Sequence, residues 1–309
     1  MTWNPYYVGD GIPRDVALAP PPPWRMFPRR AMAKEFKPPA GLVESVNAAL
    51  HLRRPLLVTG PAGSGKSTVI EQVASELKLG AVLRWHITSR STLNEALYRY
   101  DALGRIHAQR IGQAGGVDDI APFMQLGPLG TALLPSDHPR ALLIDEVDKS
   151  DLDLPSDLLD VLERGEYEIP ELARYQEDLV SVRQWGSDEH HDIERGRVRC
   201  TQFPFIVMTS NGERDFPAAF LRRCIRYTMA PPTVPLLRQM ILAHLQIDID
   251  AGGPLKDLVE EFVARLEGGD SLAIDQLLNA VYVISGTTAP EGRGRQEVAE
   301  LLMRELSRA

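Results

Sequence analysis

Cysteine is scarce in this 309-residue chain, which carries only Cys200 and Cys224. Two thiols cannot build a disulfide framework, so a reducing, cytoplasmic setting is expected. A basic excess is also missing. The formal net charge is -8, which argues against broad binding to nucleic acid or an acidic membrane. No apolar run approaches the roughly 20 residues of a membrane-spanning helix. The opening MTWNPYYVGDGIPRD lacks a basic stretch followed by an apolar one, so no secretory signal is expected. No internal repeat is visible.

What is present is a normal globular mix with a proline-rich start. Residues 1–40 include PPPP at 20–23 and read as a stiff, extended lead-in. Their aromatics (Trp3, Tyr6, Tyr7, Trp24, Phe27 and Phe36) suggest a segment laid against the body. A short amphipathic helix is expected at 42–52, a buried strand at 55–60 and a helix at 66–78. Then come a strand at 81–88, a helix over STLNEALYRYDALGRI and a buried strand at 140–147. The stretch LPSDLLDVLERG, 154–165, reads as a helix with Asp153 as N-cap and Gly165 as its stop. Polar, strand-like residues fill 166–201 as a hairpin or loop insertion. Two more strands follow at 203–211 and 226–230, and the chain is helical after Pro231 and Pro232. This alternation predicts an α/β fold with a parallel five-stranded sheet flanked by helices, plus a small all-α lid. The expected domains are 1–40, 41–232 and 233–309.

The most specific motif is GPAGSGKST, comprising Gly60, Pro61, Ala62, Gly63, Ser64, Gly65, Lys66, Ser67 and Thr68. It follows an apolar strand and opens a helix, as a phosphate-binding loop must. Glycines let backbone N–H groups face a phosphate chain, and the helix N-terminus adds partial positive charge. Lys66 would reach the β- and γ-phosphates of ATP, and the Ser67 hydroxyl would ligate Mg²⁺.

ALLIDEVDKS places Asp145 and Glu146 at the carboxyl end of a buried strand, where ligands bind in parallel sheets. One carboxylate can hold Mg²⁺ and its neighbour can activate water. Asn211 ends FIVMTSN and would position that water, although Asn-Gly is also an ordinary turn signal. FPAAFLRRC then sets Arg222 and Arg223 beside an apolar run.

In this order the motifs resemble those of an AAA+ ATPase, a class of P-loop NTPase, and within it the MoxR branch. The resemblance covers about residues 42–285. It is carried by LGPLGTALL, by DEVDKSDLDLPSDLLDVLERGEYEI and by FPFIVMTSNGERDFPAAFLRRC. It implies Asp145 as the Mg²⁺ residue, Glu146 as the catalytic glutamate and Asn211 as sensor 1. It makes the Arg222–Arg223 pair the place of an arginine finger acting in trans, with Arg223 the closer match, and Phe216, Phe220 and Leu221 its anchor. It also implies a homo-oligomeric ring, usually a hexamer, that remodels an unidentified protein partner. One departure stands out: Asp270, Ser271 and Leu272 occupy the place of a sensor-2 arginine, and Arg265 comes too early.

Two other readings compete with a remodelling motor. One is a slow-turnover switch that assembles with ATP and gates a partner effector. The other is a DNA-acting AAA+ protein, which the net acidity disfavours. Weaker features include Phe123 and Met124 in a possible helix-2 insertion over 105–125, facing a pore or packing under the loop. His190-His191 lacks the spacing of a metal site, and Cys224 reads as a buried small residue.

Overall fold

The computed structural model describes residues 6–7, 9–26, 36–111, 119–249, 253–270, 272–286 and 293–304. Chain contacts divide it into two units. One comprises Phe36–Gly60 and Gly65–Met229; the other comprises Met1–Glu35, Pro61–Ser64 and Ala230–Ala309.

The first unit is built on a five-stranded sheet. Its strands are β1 (Leu56–Thr59), β2 (Leu83–His86), β5 (Ala141–Asp145), β10 (Phe205–Ser210) and β11 (Ile225–Thr228). They run in the order β11-β1-β10-β5-β2, and every pairing is parallel. Central strands β5 and β10 are apolar almost throughout because both of their faces are covered. Helix α1 (Leu42–Leu52) buries Leu42, Val46 and Ala49, and α2 (Thr68–Glu76) buries Val69, Ile70 and Ala74. Helix α6 (Leu154–Arg164) buries Leu154, Leu158 and Leu162, spaced four apart on one stripe. Burial of each such leucine is worth about 2 kcal/mol. Asp153 does not cap α6 with its side chain; Asp151 Oδ1 accepts from Leu154 N instead, at 3.0 Å.

The expected helix over 91–106 is broken. It resolves into α3 (Leu93–Leu97), strand β3 (Tyr98–Tyr100) and α4 (Ala102–Ile111). Tyr98 and Tyr100 favour a pleated chain, and β3 pairs with β4 (Met124–Leu126). The Tyr98 hydroxyl donates to Glu171 Oε2 at 2.8 Å. Asp101 then restarts the helix, accepting from Gly104 N at 2.8 Å. Met124 is buried in this core and Phe123 is partly exposed, so Met124 packs rather than facing outward. Residues 112–118 of the expected insertion lie outside the described residues.

Those strands belong to a second sheet; its 179–194 hairpin falls in the strand-like insertion expected at 166–201, whereas its extension to six strands was not anticipated. With β6 (Glu166–Glu168), β7 (Leu179–Arg183), β8 (His190–Glu194) and β9 (Arg197–Arg199), the order is β3-β4-β7-β8-β9-β6. Along β7 and β8 one face buries Val180, Val182 and Ile193 while the other meets solvent. Helix α5 (Pro128–Ala132) is buried along its length. At Gly130 a Cβ would stand 1.9 Å from the Leu97 carbonyl oxygen. Gly130→Ala is therefore expected to destabilise the fold by about 1–3 kcal/mol or more, measured as a lowered denaturant midpoint at unchanged m-value.

The second unit has its own apolar core. Helices α7 (Val234–Leu245), α8 (Pro254–Glu267), α9 (Ile274–Ser285) and α10 (Arg293–Leu302) surround Leu237, Ile241, Phe262, Leu277, Val281 and Met303. The proline-rich segment contributes Trp24, whose indole N–H donates to Asn279 Oδ1 at 3.1 Å and whose ring meets Tyr282 edge-on. Trp3 and Phe27 lie outside the described residues. Arg265 donates to Asp270 Oδ2 at 2.7 Å and to the Met303 carbonyl at 2.9 Å, so it is committed within the helical unit. Ser271 lies outside the described residues.

Candidate nucleotide-binding site

The carboxyl ends of β1, β2, β5 and β10 bring together most of the residues singled out above. Gly60 leaves β1 with φ +146°, and a Cβ there would stand 2.9 Å from the Met229 Cβ and carbonyl oxygen. Gly63 and Gly65 also have positive φ, so the loop takes a path that side chains would oppose. Pro61, Ala62, Gly63 and Ser64 group with the helical unit, and Ser64 N donates to the Pro61 carbonyl. Thr68 opens α2, its N–H donating to the Gly65 carbonyl at 3.0 Å.

Lys66 is 7% exposed. Its ammonium donates to the Gly60 carbonyl at 2.8 Å and to Asn211 Oδ1 at 2.7 Å. Burial lowers its pKa, and Asp145, Asp148 and Glu146 oppose that shift. A buried cation held by neutral acceptors is prepared to exchange them for an anion. Ser67 Oγ donates to Asp145 Oδ1 at 2.9 Å, which joins the hydroxyl and carboxylate expected to ligate one cation. The glycine path, the lysine and this hydroxyl–carboxylate pair fit a phosphate chain with Mg²⁺.

Thr209, on the strand beside Asp145, was not anticipated. Its hydroxyl donates to Asp145 Oδ1 at 2.6 Å and accepts from Glu146 N at 2.9 Å. It thus fixes both acidic residues. Glu146 itself has φ 60° and ψ 48°, a left-handed backbone that costs about 1 kcal/mol in a non-glycine residue. That bend starts the 3-10 turn Val147–Lys149 and aims the carboxylate off the strand axis.

The Glu146 carboxylate already has partners. Lys149 Nζ lies 2.9 Å away and His86 Nε2 lies 3.5 Å away. The bond to Glu146 raises the Lys149 pKa. His86 is there because β2 pairs with β5 so that His86 faces Asp145 directly. Asp148 is buried, and its Oδ2 accepts from Asn211 N at 3.0 Å and Glu213 N at 3.1 Å. It therefore fixes the turn that presents Asn211. The only sequence signals for these residues were polar side chains at strand ends, in MTSN and RWHIT.

The arginine pair lies in the same unit. Phe220 is fully buried, Phe216 stacks on it at 5.3 Å between centroids, and Leu221 packs against the same core. Arg223 forms an ion pair with Glu163 of α6 and donates to the Ala219 carbonyl at 3.2 Å. Arg222 is exposed and makes no side-chain bond among the described residues. Burial pushes the Cys224 thiol up to about 12, which suits a packing residue. His190 and His191 lie on β8, and no metal-binding cluster exists among the described residues.

A sequence model described as AAA domain (dynein-related subfamily) matches residues 55–224, more than half of the chain. The chain belongs to this family. The AAA assignment agrees with the nucleotide loop, the acidic strand end and the parallel five-stranded sheet. NtrX from Brucella abortus, solved in complex with ATP, is similar at 16% identity and a TM-score of 0.42. That alignment covers 82% of this chain and 50% of NtrX, so the chain spans half the length of that protein. No curated protein matches the chain. Among the described residues, no helix is long and apolar enough to cross a membrane.

Proposed function

We propose that the chain is a MoxR-type AAA+ ATPase that binds ATP with Mg²⁺, hydrolyses it, forms a ring and remodels or activates a protein partner in the cytoplasm. The nucleotide-binding domain is 41–232, the lid is 233–309 and residues 1–40 are the lead-in. The observation that carries this reading is the half-buried network Asn211–Lys66 and Ser67–Asp145–Thr209 at the strand ends.

Lys66 exchanges the Gly60 carbonyl and Asn211 for phosphate oxygens. Ser67 and Asp145 would hold the Mg²⁺. The metal, when bound, neutralises phosphate charge during transfer. Glu146 orients and deprotonates the attacking water, and Asn211 holds that water in line. Arg223, supplied by a neighbouring copy, stabilises the transferring charge through its fixed guanidinium fork.

Lys66→Ala is expected to weaken binding of a fluorescent ATP analogue about 10- to 100-fold, the worth of a charge-assisted hydrogen bond. Titration by anisotropy with and without Mg²⁺ checks it. Undiminished affinity would remove Lys66 from the site.

The Lys149–Glu146 bond favours a second reading, an ATP-dependent assembly switch with slow turnover that gates a partner effector. Light scattering with a slowly hydrolysed ATP analogue, alongside a steady-state turnover assay, separates the two. Assembly with negligible turnover in the presence of partner selects the switch; partner-stimulated turnover selects the motor. A chain that stays monomeric with nucleotide rejects both.

A further inference from the structure

Strand β10 is buried along its whole length and runs Phe205, Ile206, Val207, Met208 before Thr209, which is 1% exposed. A valine would suit such a strand as well as a threonine, having nearly the same shape and the same preference for a pleated chain. The fold therefore does not ask for the hydroxyl, and a hydroxyl buried without partners is costly. Here both of its hydrogen-bonding sides are used. Its proton goes to Asp145 Oδ1 at 2.6 Å, and its oxygen accepts the Glu146 N–H at 2.9 Å. Parallel pairing sets this up: Met208 stands beside Ile144, so the next residue of β10 comes level with the end of β5.

Asp145 Oδ1 receives a second hydroxyl, from Ser67 at 2.9 Å. The two donors differ in what else they must do. Ser67 is itself expected to bind the cation, so its bond to Asp145 is open to exchange. Thr209 sits in a strand flanked by β1 and β5 and has no such second task. On the other side, Glu146 has φ 60°. That left-handed backbone costs an amount of the same order as one hydrogen bond yields. The bond from Glu146 N to Thr209 Oγ1 lies at that bend and offsets the strain.

We propose that Thr209 is a positioning residue for ATP hydrolysis. One hydroxyl ties the carboxylate that would hold Mg²⁺ to the backbone bend that aims the general base. Thr209 acts through Asp145 and Glu146 rather than on the nucleotide. The inference rests on the ATPase reading and adds a coupling to it: metal ligand and base keep one geometry because they share a single hydroxyl. Residues that orient metal ligands from behind are worth about 10- to 100-fold in metal affinity or activity.

The test compares Thr209→Val, which removes the hydroxyl, with Thr209→Ser, which keeps it. Anisotropy of a fluorescent ATP analogue titrated with Mg²⁺ reads binding, and ATP turnover reads chemistry. In Thr209→Val the Mg²⁺ concentration at half-effect is expected to rise about tenfold or more and kcat to fall about 10- to 100-fold, with the metal-free affinity of the analogue unchanged. Thr209→Ser should recover most of both. In a Glu146→Gln background, Thr209→Val should cost little further in single-turnover rate, because it acts through a residue already disabled. If Thr209→Val fails to fold, Thr209→Cys, whose thiol is a weak donor and acceptor, carries the comparison. An unchanged Mg²⁺ requirement in Thr209→Val, equal losses in Thr209→Ser and Thr209→Val, or a full further loss in the Glu146→Gln background overturns the proposal. A wild-type chain that neither binds the analogue nor turns over ATP rejects the ATPase reading, and this inference with it. Where the wild type binds without turnover, the Mg²⁺ titration alone decides.

Discussion

Arg223→Ala is expected to cut steady-state ATP turnover about 10³-fold or more, the worth of an arginine finger in related NTPases, while nucleotide affinity of the isolated chain stays the same. In the single chain, Arg223 is paired with Glu163 and the Ala219 carbonyl. Neither partner belongs to the nucleotide loop or to the acidic strand end. On the proposed reading, Arg223 acts on the phosphate held by a neighbour's loop. The Glu163 pair is no obstacle, because a largely solvent-facing ion pair is worth about 0–1 kcal/mol. Mixing decides the matter. Arg223→Ala chains mixed with Lys66→Ala chains should regain part of the activity, since one supplies an intact loop and the other an intact arginine. Wild-type turnover by Arg223→Ala, with loss in Arg222→Ala, would transfer the role to the exposed Arg222.

Glu146→Gln is expected to lower turnover about 10²- to 10⁴-fold, the usual worth of a positioned general base, with ATP binding retained. Gln keeps the size and the left-handed backbone but cannot take a proton. It also weakens the attachment to Lys149 and His86, so ATP-dependent assembly should persist or strengthen. Single-turnover kinetics checks the chemical step, and light scattering checks assembly. An unaltered single-turnover rate would show that another group activates the water.

The five-stranded sheet was legible because its strands announce themselves as short apolar runs between polar turns. The loop 60–68 was legible because its glycines and lysine have fixed spacing and a strand before them. Tyr98 and Tyr100 were misread because their helical spacing is real locally, and only pairing with β4 converts them into a strand. The second sheet was legible only as a hairpin insertion, for a related reason. Four of its six strands, β3, β4, β6 and β9, have three residues each, and such lengths carry almost no periodicity. Thr209 and His86 were invisible as site residues because their roles come from strand register: β10 and β2 flank β5, and no spacing along the chain encodes that. The tie between Arg223 and Glu163 joins residues 60 positions apart, again beyond any local pattern.

Trp24 has a practical consequence. Its indole is seated on Asn279, His244 and Tyr282 of the helical unit, whereas Trp85 is 8% exposed in the core of the other. Each unit thus contains its own intrinsic fluorophore. With Trp3 and Trp185 changed to Phe, quenching and emission maxima of the remaining two would follow the units independently. Trimming the chain to start at residue 41, after the whole proline-rich lead-in, would strip the helical unit of its optical label and leave the Asn279 carboxamide without its indole donor.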